Sequence, residues 1–217
     1  MPAVRYATVL FDLDGTILET AEGVLNGFCY ALERLGRPFP DHVDSRRFIG
    51  PPLRYSFREW CGVCEEDMDR AIMLHREYYG SRGLFEAKPY PGVIELMRDL
   101  HKDGARVCVA TSKYRGMAEK VLDHFGIRPY LSFAAMSGGG EQVSAKSDII
   151  REALAHCGVA ASAAVMVGDT VYDAEGAREV GIPFVGVLFG YGTRAEMEQE
   201  GASRFAADAQ ELRAMLY

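Results

Sequence analysis

This sequence predicts an α/β fold built on a mostly parallel sheet, with an all-helical segment inserted after the first strand. Three observations carry that prediction. Short, uniformly apolar runs recur along the chain and end in turn residues. From about Ala87 onward, amphipathic helical patterns alternate with those runs. Between Glu19 and Leu84 the alternation stops and only helical spacing remains.

The first run, Tyr6–Phe11 (YATVLF), is too uniformly apolar for a strand with one wet face. It reads as a strand buried on both sides, stopped by Asp14-Gly15-Thr16. Val93, Leu96, Met97 and Leu100 then recur at the spacing of one buried helix face. After Gly104 comes the strand-like run Ala105–Ala110 (ARVCVA). Ala118, Val121, Leu122 and Phe125 mark a second helix, ended at Gly126. Phe133–Met136 is a short strand candidate, and Ile149, Ile150, Ala153 and Leu154 mark another helix. Ala163–Val167 (AAVMV), a helix over Ala174–Val180 and the run Phe184–Leu188 (FVGVL) continue the alternation. Right-handed crossovers are expected throughout.

The inserted segment shows helical patterns over Thr20–Leu35, Ser45–Trp60 and Glu65–Tyr79. Gly36-Arg37-Pro38-Phe39-Pro40 and Gly50-Pro51-Pro52 punctuate it. Residues 1–18 and 85–217 are therefore expected to form the core domain, and 19–84 a small helical subdomain. The connections near Ile17–Thr20 and Gly83–Pro91 would act as a hinge.

Composition narrows the function classes. The chain has 217 residues, 48% hydrophobic and 25% charged, the balance of an ordinary globular protein. No apolar run reaches the ~18 residues of a membrane span, and the acidic N-terminal stretch does not resemble a signal peptide. A cytoplasmic location is expected. Lys and Arg number 24 against 31 Asp and Glu, a net charge of −7. Such a chain is a poor electrostatic partner for nucleic acid polymers or anionic membranes. The expected partner is a small molecule, and the expected state a monomer or homodimer. The five cysteines read as reduced thiols. The Cys61-x-x-Cys64 pair sits beside Glu65, Glu66 and Asp67, with no second pair to complete a zinc site, and reads as helix packing. The five histidines show no paired ligand spacing, and none is assigned a role.

In an open α/β sheet, ligands bind beyond the carboxyl ends of the strands. Strand one ends in Phe11-Asp12-Leu13-Asp14-Gly15-Thr16, and the ARVCVA strand in Thr111-Ser112-Lys113. Lys146 opens a helix, and AAVMV ends in Gly168-Asp169 with Asp173 one turn on. Carboxylates, hydroxyls and an ammonium thus converge on one rim. Crowded carboxylates repel by ~4 kcal/mol per pair at 4 Å in a surface-like dielectric. A hard divalent cation offsets that repulsion, and magnesium typically takes one or two carboxylates with waters and phosphate oxygens. Thr111 and Lys146 would hold further phosphate oxygens, helped by N–H groups of the loop after Asp12. In the D-x-D pair, Asp12 is placed as a nucleophile. Asp14 is placed to protonate the leaving oxygen and then to deprotonate the attacking water.

These segments resemble the haloacid dehalogenase superfamily across essentially the whole chain. FDLDGTI is similar to its first motif, ATSK to its second, Lys146 to its third and GDTVYD to its fourth. The resemblance implies a Rossmann-like three-layer core with a helical cap. It implies a magnesium-dependent phosphomonoester hydrolase that works through an aspartyl phosphate on a small phosphorylated metabolite. Asp12 would be the nucleophile and Asp14 the acid/base. Asp12, the Asp14 carbonyl and Asp169 would hold Mg2+, Asp173 would support them, and Thr111 and Lys146 would contact phosphate. Thr16 and Ser112 join as candidate substrate contacts.

Within the superfamily the chain looks like the phosphoglycolate phosphatase and 5′-nucleotidase branch, through Phe48-Ile49-Gly50-Pro51-Pro52-Leu53 and Gly190-Tyr191-Gly192. Ser147 stands where phosphoglycolate phosphatases often have proline, after a Gly138-Gly139-Gly140-Glu141 loop, which favours the nucleotidase-like group. Glu19 replaces the aspartate usual at the end of the first motif. Arg46, Arg47, Arg54 and Arg58 give the cap a positive cluster. A solvated helix face accounts for most of them, and Arg54 is the candidate to reach a substrate carboxylate or second phosphate. Tyr55, Trp60 and Tyr191 read as packing residues before base-stacking ones. Two alternatives stand beside the hydrolase: a phosphosugar mutase of the β-phosphoglucomutase type, and a non-enzymatic phospho-acceptor or regulator.

Overall fold

The computed structural model describes residues 3–49, 51–138 and 144–217. The chain folds as two compact units. One joins the residues up to Glu19 with Pro89–Tyr217, and the other is Thr20–Lys88. The short 3-10 turn Gly83–Phe85 belongs to the second unit because its backbone packs on helix α1 (Ala21–Arg34). A Cβ placed on Gly23 would lie 1.9 Å from the Gly83 carbonyl oxygen, so only hydrogen fits there. The second connection therefore leaves this unit after Lys88, four residues beyond the expected position.

Among the described residues, the main sheet of the first unit has six strands: β1 (Thr8–Phe11), β2 (Arg106–Tyr114), β3 (Phe133–Ser137), β4 (Ala164–Gly168), β5 (Phe184–Val187) and β6 (Phe205–Ala206). They lie in the order β3-β2-β1-β4-β5-β6, every neighbouring pair parallel. β1 is central, registering against Arg106–Val109 on one side and Ala164–Val167 on the other. All of its residues are buried, which explains its uniform apolar run.

Successive side chains leave the two faces of the sheet in alternation. Leu10, Cys108, Ala110 and Met166 pack with Ile149, Ile150 and Ala153 of α6 (Lys146–Cys157) and Ala177 of α7 (Val171–Val180). Val9, Phe11, Val107 and Val109 leave by the other face and are completely buried. Helices α4 (Val93–Lys102) and α5 (Arg115–His124) also pack against β2. The core is the expected Rossmann-like parallel α/β fold, and the insertion is helical.

Several elements differ from their expected extent. β2 continues four residues past Ala110, because Thr111-Ser112-Lys113-Tyr114 stays extended through a register shift. Thr111 pairs with Met136 but Tyr114 with Ser137, so Ser112 and Lys113 form a bulge. Beyond β5 the chain adds a short helix (Arg194–Gln199), β6 and a final helix (Ala209–Leu216), none of which the sequence pattern announced.

The second unit holds α1, a 3-10 turn (Ser45–Phe48), α2 (Leu53–Glu59) and α3 (Glu65–Ser81). The middle helical stretch is thus two pieces, parted at Pro51-Pro52, which cannot both sit inside one helix. Gly50 of that motif, and Gly139, Gly140 and Glu141 of the glycine loop, lie outside the described residues. The unit's core is aromatic: the Phe28 ring lies 4.8 Å from Phe48 and 4.7 Å from both Phe57 and His75. Cys61 packs at the edge of this cluster, and burial pushes its thiol up to about 12, as expected of an inert packing residue. Among the described residues, no helix is long and apolar enough to cross a membrane.

Candidate active site

The carboxyl ends of β1 and β4 lie side by side. The Asp12 N–H donates to the Val167 carbonyl (2.9 Å), which brings Asp12 next to Gly168-Asp169. One ligand oxygen each from Asp12, Asp169 and Asp173 lies within 4.8 Å of the others. All three residues are buried, at 7%, 0% and 1% exposure.

The sequence around each acid has a local reason. Thr170 and Asp173 form a capping box at the start of α7. The Thr170 N–H and O–H donate to Asp173 Oδ2 at 3.0 and 2.8 Å, satisfying groups a helix start would leave unpaired. The spacing of GDTVYD therefore serves the helix as well as the site. Gly168 is required because a Cβ there would lie 2.4 Å from Asp173 Cγ. Asp169 is held from two sides: Thr16 Oγ1 donates to Oδ1 (2.9 Å), and the Tyr191 N–H donates to Oδ2 (2.8 Å).

Lys146, the first residue of α6, reaches back under the cluster. Its Nζ donates to Asp12 Oδ1 (2.6 Å) and the Ala110 carbonyl (3.0 Å), and lies 2.8 Å from Asp173 Oδ1. Burial pushes the Asp12 carboxyl well above the usual carboxylate range; Lys146 pulls it down, while Asp173 and Asp169 add to the rise. Burial and the Asp173 charge bring Asp169 up to about 7, against the opposing pull of the Tyr191 and Thr16 hydrogen bonds. Burial alone would depress Lys146, yet Asp12 and Asp173 carry it above its usual range.

These groups fit a divalent cation. Three buried carboxylates face one buried ammonium, an excess of negative charge that hard cations with oxygen ligands neutralise. Both Asp173 oxygens are engaged by Lys146 and Thr170, whereas Asp12 and Asp169 come from adjacent strand ends.

The remaining candidates fall in different places. Asp14, 28% exposed at its side chain, stands apart from that cluster and takes Lys113 on both oxygens. Thr111 lies in β2 just before the bulge, 2% exposed, and accepts the Lys113 N–H (3.1 Å), leaving its own O–H to donate. Ser112 is half-buried in the bulge. Thr16 is fully buried and directs its hydroxyl at Asp169, so it serves that carboxylate where a substrate contact was expected. In the β1 loop, the Gly15 N–H goes to the Leu18 carbonyl (2.8 Å) and is not spare for phosphate. Arg54 pairs with Glu65 and Asp69 of α3, within its own unit. Tyr55 and Trp60 pack edge-on at 5.5 Å. Tyr191 is tied by its N–H to Asp169 and by its O–H to Glu19 (3.3 Å). Sequence reasoning missed Lys113 and the Tyr191 N–H; the signals were the last letter of ATSK and the glycines flanking Tyr191.

The Haloacid dehalogenase-like hydrolase family model matches residues 9–187. The chain belongs to this family. It is 34% identical to a 5′-nucleotidase from Pseudomonas aeruginosa, over 99% of this chain and 97% of that one. It is 33% identical to a phosphoglycolate phosphatase from Caulobacter vibrioides, over 90% and 84%. A solved haloacid dehalogenase-like family hydrolase from Streptococcus pneumoniae superposes with a TM-score of 0.87 at 29% identity, covering 98% of this chain and 99% of that one. Tyrosine-protein kinase PtkA of Mycobacterium tuberculosis is also similar, 35% identical over 85% of this chain and 62% of its own length. With relatives and structural neighbours of this kind, the chain is an enzyme of the phosphatase type.

Proposed function

We propose that the chain is a magnesium-dependent phosphomonoesterase that hydrolyses a small phosphorylated metabolite through an aspartyl phosphate on Asp12. The observation that carries this is the buried cluster of Asp12, Asp169 and Asp173 around a single ammonium at the carboxyl ends of adjacent strands. Asp12, Asp169 and the Asp14 carbonyl would hold Mg2+, with Asp173 steadying Lys146 behind them. When bound, the cation supplies the positive charge that lets ionised carboxylates and a phosphate share one pocket.

Asp12 attacks phosphorus while Asp14 gives its proton to the departing oxygen. Asp14 then takes a proton from water as that water cleaves the Asp12–phosphorus linkage and releases phosphate. Thr111 and Lys146 hold phosphate oxygens during both steps. A nucleoside monophosphate is the preferred substrate class, supported by the likeness to the Pseudomonas 5′-nucleotidase over nearly the full chain and by Ser147 after Lys146. Phosphoglycolate is the competitor. Arg54 is the proposed specificity residue of the helical unit, and a substrate anion must displace its partners Glu65 and Asp69.

A panel of nucleoside monophosphates, phosphoglycolate and hexose phosphates, ranked by kcat/KM with and without Mg2+, tests the assignment. Hydrolysis should need Mg2+ and vanish in Asp12→Asn. Activity surviving in Asp12→Asn overturns the nucleophile, and hexose phosphate isomerised without phosphate release favours a mutase. The likeness to PtkA names a third acceptor for the same phosphoryl group, a tyrosine hydroxyl in place of water. Transfer of label from ATP to protein tyrosine would favour that outcome.

A further inference from the structure

The two aspartates of the D-x-D pair face different ammonium groups. Lys146 serves Asp12, as described above. Lys113 Nζ lies 2.9 Å from Asp14 Oδ1 and 3.0 Å from Oδ2, gripping both oxygens. The Lys113 side chain is only 6% exposed, so this is no solvated surface pair.

The backbone is arranged to bring it there. A regular strand would have ended its pairing with β3 at Thr111–Met136, but the bulge at Ser112-Lys113 re-aims the chain before Tyr114 rejoins the ladder. The Lys113 N–H donates to Thr111 Oγ1 (3.1 Å), which fixes the bulge to the hydroxyl proposed to hold phosphate. The lysine that grips Asp14 is therefore anchored at both its backbone and its ammonium end within the site.

We infer that Lys113 is a positioning residue for proton transfer by Asp14; this rests on the assignment of Asp14 as the acid/base. With Asp14 protonated, one oxygen carries the proton toward the leaving group and the other accepts from Lys113. During the first step the Asp14 O–H bond breaks as an O–H bond forms on the departing ester oxygen. The Asp12–phosphorus bond forms and the ester P–O bond breaks in the same step. The oxygen that loses its proton becomes the second acceptor for Lys113, giving the two-bond grip seen here. That extra charge-assisted bond is open only to the ionised carboxylate, so in the enzyme–substrate complex it gains strength as the proton leaves and favours the transition state over the bound substrate. In the second step Asp14 takes a proton from water as the water oxygen bonds to phosphorus and the Asp12–phosphorus bond breaks, restoring the one-bond arrangement.

The test compares two substrates of nearly the same shape, p-nitrophenyl phosphate and phenyl phosphate, because the second leaves far more reluctantly without a proton. In Lys113→Met, the ratio of kcat/KM for p-nitrophenyl phosphate over phenyl phosphate should rise at least about tenfold, as it should in Asp14→Asn. Lys113→Arg, which restores the charge, should return the ratio to within about threefold of the parent enzyme. An unchanged ratio in Lys113→Met, whether or not both rates fall together, overturns the inference, because a merely structural lysine cannot sense the leaving group. If Lys113→Met fails to fold by circular dichroism, Lys113→Gln replaces it on the same criterion. Should Asp14→Asn leave the ratio unmoved, or Asp12→Asn remain active, the underlying assignment fails independently of Lys113.

Discussion

Gly190→Ala should weaken metal binding without removing any proposed metal ligand. A Cβ at position 190 would lie 2.3 Å from Asp169 Cβ, 2.4 Å from Asp169 Oδ2 and 2.4 Å from the Gly15 carbonyl oxygen. Ordinary contact begins at 3.4 Å, so the loop must retreat by roughly 1 Å. The next residue carries the Tyr191 N–H that donates to Asp169 Oδ2 at 2.8 Å, and a shift of that size breaks the bond. A hydrogen bond to a charged group contributes about 1.5–3 kcal/mol, equivalent to roughly 10- to 150-fold in affinity. Activity titrated with Mg2+ should show half-saturation raised by that factor, with kcat recovered in large part at saturating metal. A folded variant whose half-saturating Mg2+ lies within about twofold of the parent would refute the idea that the Gly190-Tyr191-Gly192 loop holds Asp169 for the ion.

Two further outcomes are open to measurement. His75, 4% exposed in the aromatic cluster, leans toward the Val24 carbonyl without a well-aligned hydrogen bond, and burial lowers it from 6.5 to about 4. Between those values the unfolded chain binds a proton that the native imidazole does not. Stability is therefore full above pH 6.5 and falls by roughly 3 kcal/mol on going down to pH 4. Urea denaturation of the parent and His75→Phe across that range should give curves that diverge by this amount, and parallel curves would exclude His75 as the source. Arg54→Ala should raise KM for the true substrate about fivefold or more with kcat within about twofold; unchanged KM would confine Arg54 to its pairs with Glu65 and Asp69.

The central strands were legible because burial on both faces writes an unmistakable run, as in YATVLF and AAVMV. The acids at their ends were legible because a parallel sheet places every strand terminus on one rim. What stayed hidden had weaker or non-local causes. Phe205–Ala206 is too short to show a period, and Arg194–Gln199 buries only Met197. The extension of β2 was masked because Thr111-Ser112-Lys113 is polar, as the rim demands. No spacing rule could join Lys113 to Asp14, since they are 99 positions apart and meet only through the bulge. Thr16 is expected among the substrate contacts, yet the tight loop turns its hydroxyl onto Asp169. The partners of Arg54, Glu65 and Asp69, come from the helix after it, 11 and 15 positions on, beyond the reach of any local pattern around Arg54.

The placement of β1 also bears on how the chain acquires its shape during synthesis. β1 is made first, but its two neighbours are β2 and β4, the latter beginning at Ala164. At about 5–20 residues per second, β1 waits roughly 8–30 s for that second neighbour to emerge from the ribosome. In the meantime the helical unit, fully synthesised once Lys88 is made, can close on itself, while β1 keeps at least one edge of an apolar strand open to other nascent chains.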